Sequence, residues 1–393
     1  MLASRDLDLV VYGATGFTGR LVAEYLAERY RDDGNLRWAI AGRNRDRLEE
    51  VRALIGASAE MPLVVADSND PTSLRSLAES TRVVISTVGP YQLYGSALVE
   101  ACVTTGTSYV DLCGEPAWMR AMIDRNEAQA RVSGARIVFS CGFDSIPFDC
   151  GVQQLQKHCI HRFGRPAPRI KGRVRAVRGG VSGGTIASLK ATLAAAARRP
   201  ALFRLLADPF ALSPGFKGPA QPSAMLPYWD AAVGAWVAPF IMAPINTKNV
   251  HRTNYLLGHP YGTDFQYDEM IVAGLGDLGI AAVRMLAKAN PFASPKGPEP
   301  GEGPSRDERE SGFFDILFVA EMPDQKRLRL VVRGDRDPGY GSTSRMIAEA
   351  ALCLARDIEG QGGIWTPGAV MGDALVKRFQ ANAGVSFNLE DDR

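Results

Sequence analysis

Residues 10–19, Val-Val-Tyr-Gly-Ala-Thr-Gly-Phe-Thr-Gly, constrain the fold more than any other stretch of this chain. An apolar run enters a glycine-rich turn and a helical pattern leaves it, the order in which a parallel sheet builds a cradle for a dinucleotide pyrophosphate. Gly13 suits a tight turn out of the strand, Gly16 a close backbone approach to phosphate, and Gly19 a helix lying close on the sheet. Ala14, Thr15, Phe17 and Thr18 complete the loop and the first helical turn, whose free N–H groups and positive dipole end favour an anion. A second segment, Ala41-Gly42-Arg43-Asn44, marks the end of the next strand. A site for the unphosphorylated dinucleotide would place Asp or Glu there to hold the ribose hydroxyls, whereas an arginine suits a 2′-phosphate. The expected cofactor is therefore NADP(H), with an ordinary surface arginine as the alternative for Arg43.

Repeated strand–helix units surround this motif. Short apolar or β-branched runs over 7–12, 38–41, 63–66, 83–87, 108–111 and 136–140 alternate with helical patterns over 17–31, 45–55, 71–79, 95–105 and 117–133. Such alternation predicts an α/β, Rossmann-type doubly wound parallel sheet, with ligands at the carboxyl ends of its strands. We place this dinucleotide-binding domain at 1–148. An α+β domain for substrate binding and dimerisation is expected over 149–342, and terminal helices within 343–385 are expected to return to the first domain. In the second part, strands are expected at 169–178, 249–257 and 264–272, helices at 186–197 and 275–289, and a hairpin at 313–321 and 326–333. Helices are further expected at 343–356 and 368–380. Residues 290–312 are proline, glycine and charge with little to bury, and read as a mobile loop, an insertion or a lid.

Composition excludes several classes. With 393 residues the chain is long enough for two domains, and 45 basic against 43 acidic residues leave no stripe to attract nucleic acid. Six cysteines lack paired CxxC spacing, and the N-terminus lacks a signal-peptide pattern, which favours free thiols in a reducing cytoplasm. No run approaches the roughly 20 apolar residues of a membrane span. The nearest, residues 231–245, is broken by Gly234, Pro239 and Pro244. It reads as a buried helix or loop, or as an apolar surface that takes a lipid or touches a membrane. No tyrosine carries the lysine four residues on that short-chain dehydrogenases use. His158 and His161 make a poor metal site without further ligands, so no metal is expected.

Four loops after predicted strands hold the plausible chemistry. Asp67 and Ser68 follow the third strand, where Asp67 would either meet the adenine amine or cap the next helix. Thr87, Val88, Gly89 and Pro90 follow the fourth and would run past the ribose and nicotinamide. Tyr91 or Tyr94 could supply a proton there, with packing at the domain interface as the alternative. Asp111 and Glu115 follow the fifth, as substrate-positioning groups or as capping and ion-pair residues. The sixth is followed by residues 141–149, in which Asp144 and Ser145 would position a substrate.

With these residues in hand, the chain resembles the saccharopine dehydrogenase-like oxidoreductases, and within them the branch of the trans-acting enoyl reductases. The resemblance rests on GATGFTG (13–19), AGR (41–43), TVGPYQLYG (87–95), YVDLCGEP (109–116), CGFDSIPFD (141–149), SGGTIAS (182–188) and GGIWTP (362–367), which span most of the chain. It implies a nicotinamide cofactor and reduction of the double bond of an acyl chain carried by a polyketide synthase, in complex lipid and glycolipid assembly. No charged cluster suited to an amino-acid adduct was found. The expected activity is thus hydride transfer from NADPH to an enoyl thioester, with Tyr91 as first choice for the acid and residues 226–245 accommodating the acyl chain. Expected partners are an acyl or lipid-like small molecule, free or carrier-bound, a second copy of the chain, and peripheral contact with a membrane. A cofactor-binding, lipid-associated protein without turnover and a reductase of imines or ketones are the alternatives.

Overall fold

The computed structural model describes residues 5–179, 200–288 and 303–391. The expected SGGTIAS segment and the helix over 186–197 lie outside these residues. Strands β1 (Leu7–Tyr12), β2 (Trp38–Gly42), β3 (Leu63–Val65), β4 (Thr81–Ser86), β5 (Ser108–Asp111) and β6 (Arg136–Val138) form a parallel sheet, joined by β13 (Gly363–Trp365) from near the chain's end. Its order is β13-β6-β5-β4-β1-β2-β3. β1 is buried along its whole length, as a strand covered by helices on both faces must be. The order reverses between β1 and β4, and a crevice opens at such a switch point outside the carboxyl ends of the strands.

Helices α1 (Phe17–Arg29), α2 (Arg45–Leu54), α3 (Pro71–Ser80), α4 (Tyr91–Tyr94), α5 (Ser96–Thr105) and α6 (Pro116–Ser133) connect these strands. Their ends follow local chemistry. Asn44 caps α2 by accepting the Arg47 N–H, and Asp70 caps α3 by accepting that of Thr72. Gly106 and Gly134 end α5 and α6 in the left-handed conformation.

α7 (Ile146–Phe163) leads into a second seven-stranded sheet, of order β14-β12-β11-β7-β10-β9-β8. Its members are β7 (Arg169–Arg178), β8 (Tyr228–Asp230), β9 (Ala235–Pro239), β10 (Gln266–Gly274), β11 (Phe313–Glu321), β12 (Arg327–Gly334) and β14 (Val385–Glu390). β7 and β10 run parallel and the other pairs antiparallel. The remaining helices are α8 (Pro200–Ala207), α9 (Ala243–Leu256), α10 (Gly276–Lys288), α11 (Arg306–Glu310), α12 (Thr343–Arg356), α13 (Pro367–Val370) and α14 (Gly372–Arg378). Two π turns, Pro338–Ser342 and Phe379–Ala383, precede α12 and follow α14. α12 is buried on nearly every side and packs on α1, β1, β4 and β5. Among the described residues no helix is long and apolar enough to cross a membrane.

Three expectations need correction. Residues 249–256 are helical, not extended, and Leu257 caps the helix: spacing in α9 puts Asn246, Asn249 and Thr253 on one face, where each finds a buried polar partner. Residues 231–245 are neither a single helix nor a loop. They include β9 and the start of α9, with β8 and β9 forming a hairpin. Of the expected loop over 290–312, residues 290–302 lie outside the described residues, and within the rest α11 is a helix with a capping box between Ser305 and Glu308.

Candidate functional site

The glycine turn is shaped by what surrounds it. Gly13 and Ala14 N–H both donate to the Ala41 carbonyl, at 3.0 and 3.2 Å, which fastens the turn to β2. Gly13 has a φ of 92°, and a Cβ there would lie 2.7 Å from both Thr87 Oγ1 and Val88 Cγ2. At Gly19 a Cβ would stand 2.2 Å from the Gly13 carbonyl oxygen, so only glycine lets α1 lie this close to the turn. Thr87 Oγ1 donates to the Tyr12 carbonyl at 3.2 Å, closing the loop after β4 onto the one after β1. Thr15 and Gly16 are exposed, and Phe17 and Thr18 half-buried. Gly16 is the N-cap of α1 and offers no side chain to it, so the first N–H groups of the helix stay open to an anion. A cradle that a Cβ would fill, at a helix start with nothing capping it, fits a dinucleotide pyrophosphate.

Arg43 follows β2 directly, is exposed, and has no ion pair or side-chain hydrogen bond with the described residues. Asp67 Oδ1 accepts from Asn69 N at 2.8 Å and Asn69 Nδ2 at 3.2 Å, while the cap of α3 is Asp70. The capping alternative for Asp67 therefore falls to its neighbour. Ser68 adjoins Tyr12, a residue the sequence reading passed over. The Tyr12 phenol is pushed up to about 12 by burial and by Asp67, with Ser68 and Arg43 acting the other way. One buried tyrosine thus gathers the ends of β1, β2 and β3. If Arg43 meets a 2′-phosphate, Arg43→Ala should weaken NADPH binding about ten- to hundredfold, the scale of a charge-assisted hydrogen bond. NADH binding should hardly change. Titration of both cofactors checks this, and equal losses would place the guanidinium elsewhere.

The loop after β4 holds a cis Gly89–Pro90 peptide and enters α4. Here Tyr91 is corrected from its expected role. It is only 4% exposed; its hydroxyl donates to the Ser86 carbonyl at 3.1 Å and accepts from Leu112 N at 3.0 Å. Burial raises the phenol well above its ordinary value. Tyr91 ties the ends of β4 and β5 together and is not poised to release a proton. Glu115 accepts the Tyr91 and Gln92 N–H groups at 2.8 and 2.9 Å, so it caps α4 from another loop. Asp111 accepts from Cys113 N and Ser140 N through Oδ1 and from Tyr109 through Oδ2. Both acids brace the loops. Tyr94, by contrast, is 40% exposed.

Ser145 is likewise corrected. It is 1% exposed, donating to Asn246 Oδ1 at 3.2 Å and accepting from Asn249 Nδ2 at 2.8 Å. It joins α7 to α9 beneath the loop. Asp144 is half-buried on that loop, ahead of α7. Sequence reasoning missed Thr343, whose hydroxyl accepts from Phe143 N at 3.1 Å and donates to the Pro338 carbonyl at 2.7 Å. The stretch 226–245 divides in two. Leu226 and Trp229 are exposed to solvent, whereas half-buried Phe240 and Ile241 pack with Val88 against the core cluster containing Tyr91, Cys113 and Trp118. Phe240 also meets Phe148, with ring centroids 5.6 Å apart and planes tilted by 32°. The turn between β9 and α9 thus packs apolar side chains on the same core cluster as Val88, which follows β4.

Comparison with known proteins matches this geometry. Residues 9–138 fit the family model of the saccharopine dehydrogenase NADP binding domain. A Mycobacterium tuberculosis protein provisionally named a trans-acting enoyl reductase is 40% identical over 98% of this chain and 97% of its own. The trans-acting enoyl reductase of Mycobacterium bovis is 36% identical over the same shares. Among solved structures, apo saccharopine dehydrogenase (L-Glu forming) from Saccharomyces cerevisiae superposes with a TM-score of 0.56 at 12% identity, covering 98% of this chain and 100% of that one. That likeness is one of fold.

Proposed function

Because the chain belongs to the saccharopine dehydrogenase-like oxidoreductases, in the branch of the trans-acting enoyl reductases, we propose that this NADP(H)-binding oxidoreductase reduces the carbon–carbon double bond of an acyl thioester. The observation that carries the reading is that Val88, on the loop after β4, and Phe240 and Ile241, ahead of α9, are half-buried apolar residues packed on one core cluster. An acyl chain gains there what a charged amino-acid adduct would lose by desolvation.

Bound in the cradle, NADPH would supply the hydride for the β-carbon. The backbone N–H groups at the start of α1 hold the pyrophosphate, and Arg43 selects the phosphorylated ribose. We assign Asp144, half-buried on the loop ahead of α7, as the acid that in its neutral form donates to the substrate carbonyl and gives its proton for the α-carbon. The acyl group arrives free or on a carrier.

Enoyl thioesters of increasing length, incubated with the protein and NADPH, should yield the saturated acyl product by mass spectrometry. Each added methylene that reaches these apolar residues should raise kcat/KM by up to about fourfold, from about 0.8 kcal/mol per buried CH₂. Tight NADPH binding with no product at any length would sink the proposal and favour a cofactor-binding protein without turnover.

A further inference from the structure

The cradle has no side chain capping its helix, yet its first helical residue is gripped from another part of the chain. The Phe17 ring meets Tyr340 edge-on, with centroids 4.8 Å apart and planes at 80°. The Arg309 guanidinium lies 5.7 Å from the ring centroid and that of Arg20 5.4 Å. Gly303 passes so close that a Cβ on it would fall 2.4 Å from the Phe17 ring. Tyr340 is 5% exposed, so its contact is sheltered from water, whereas Arg309 is half-buried.

These groups come from one fastened unit. The Arg309 carbonyl accepts from Asp337 N at 3.0 Å. Asp337 in turn accepts from Tyr340 N at 2.9 Å and Gly341 N at 2.8 Å. The turn lies between β12 of the second sheet and α12 beneath the first, and it ends on Thr343, the residue that holds Phe143. It therefore touches both the pyrophosphate cradle and the loop carrying Asp144.

We propose that Tyr340 and Arg309 are positioning residues for the cofactor: they hold Phe17, and through it the open N-terminus of α1, in the arrangement that receives the pyrophosphate. Neither touches the reacting atoms. Their effect is to fix N–H groups in advance, so that less ordering remains when the anion arrives. The inference rests on cofactor binding alone and is independent of the acyl substrate.

Direct titration of NADPH and NADH tests it. Tyr340→Leu should raise both dissociation constants by a common factor of about two- to tenfold, the scale of one aromatic pair. Arg309→Ala should raise both about two- to fourfold, the scale of a partly exposed cation–π contact. The common factor separates this from Arg43→Ala, which acts on NADPH alone. Adding Phe17→Leu to Tyr340→Leu should cost no more than the worse single change, because both remove the same contact. A lowered melting temperature with unchanged dissociation constants would reduce the cluster to scaffolding and overturn the proposal. Should Tyr340→Leu fail to fold, Arg309→Ala decides: unchanged affinity for both cofactors overturns it.

Discussion

Gly19→Ala is expected to abolish measurable NADPH binding and to destabilise the protein together. A Cβ at this position would stand 2.2 Å from the Gly13 carbonyl oxygen, 2.7 Å from its carbonyl carbon and 2.7 Å from Thr87 Oγ1. The two Gly13 atoms are backbone, so backbone must move whatever Thr87 does. Either α1 lifts from β1 or the turn opens, and both displace the N–H groups that meet the phosphates. Overpacking of this kind costs roughly 1–3 kcal/mol of stability, and sometimes more. Gly16→Ala supplies the contrast. There a Cβ would be 3.3 Å from the Gly13 oxygen, on exposed backbone with φ at −80°. Its stability cost should stay near that of an alanine N-cap, about 1 kcal/mol. Its NADPH affinity should fall more than about tenfold, because the added methyl occupies the space where phosphate approaches backbone. Thermal melts without cofactor, paired with cofactor titrations, separate the two effects. Near-native affinity in Gly16→Ala would mean that the turn is only structural.

What could be read from the chain without coordinates follows from how local each signal is. The cradle was legible because strand, glycine turn and helix are contiguous, and their chemistry lies within ten residues. Helix α7 was not: burial of Phe148, Asp149, Cys150, Val152, Leu155, Gln156 and Cys159 leaves no clean apolar stripe to recognise. β13 and β14 escaped for another reason. Gly363 pairs with Arg136, and Val385 with Gly334, so neither short strand announces itself except through a distant partner. The candidate acids show the same limit. Tyr91 opens a short helix after β4 and Ser145 lies just ahead of α7, but their roles are set by Leu112, Asn246 and Asn249, which no neighbouring residue foretells. Phe17 was read for its backbone alone, while its ring turns out to be held by residues some three hundred positions away.

The buried acids behind α9 should make stability fall as pH rises through neutrality. Glu269 is fully buried on β10, accepting from Asn246 Nδ2 and from the Tyr267 hydroxyl, each at 2.9 Å. Burial pushes its carboxyl up to about 8, and that of Asp149, which accepts from Thr253 and Gly368 N, up to about 7. A folded value above the unfolded one means that the native state keeps a proton the unfolded chain has released. The associated stability is complete below the ordinary carboxylate range and disappears as pH climbs to the folded values. His251 works in the opposite sense, since burial lowers its imidazole to about 3 and so favours the fold increasingly up to its ordinary value near 6.5. Above about pH 6.5 that contribution is nearly constant; between 6.5 and 8 buried Asp111, raised to about 7, adds to the loss, while Lys248, lowered by burial to about 8, begins to oppose it, so the difference between wild type and a Glu269 variant isolates Glu269. There Glu269 alone should remove up to about 1.4 kcal/mol per pH unit. Glu269→Gln keeps the shape and a neutral acceptor, and should flatten the profile over that interval. Urea unfolding at several pH values measures both slopes. Parallel profiles would mean that Glu269 is ionised in the folded protein, with the nearby Arg173 charge outweighing the cost of burial.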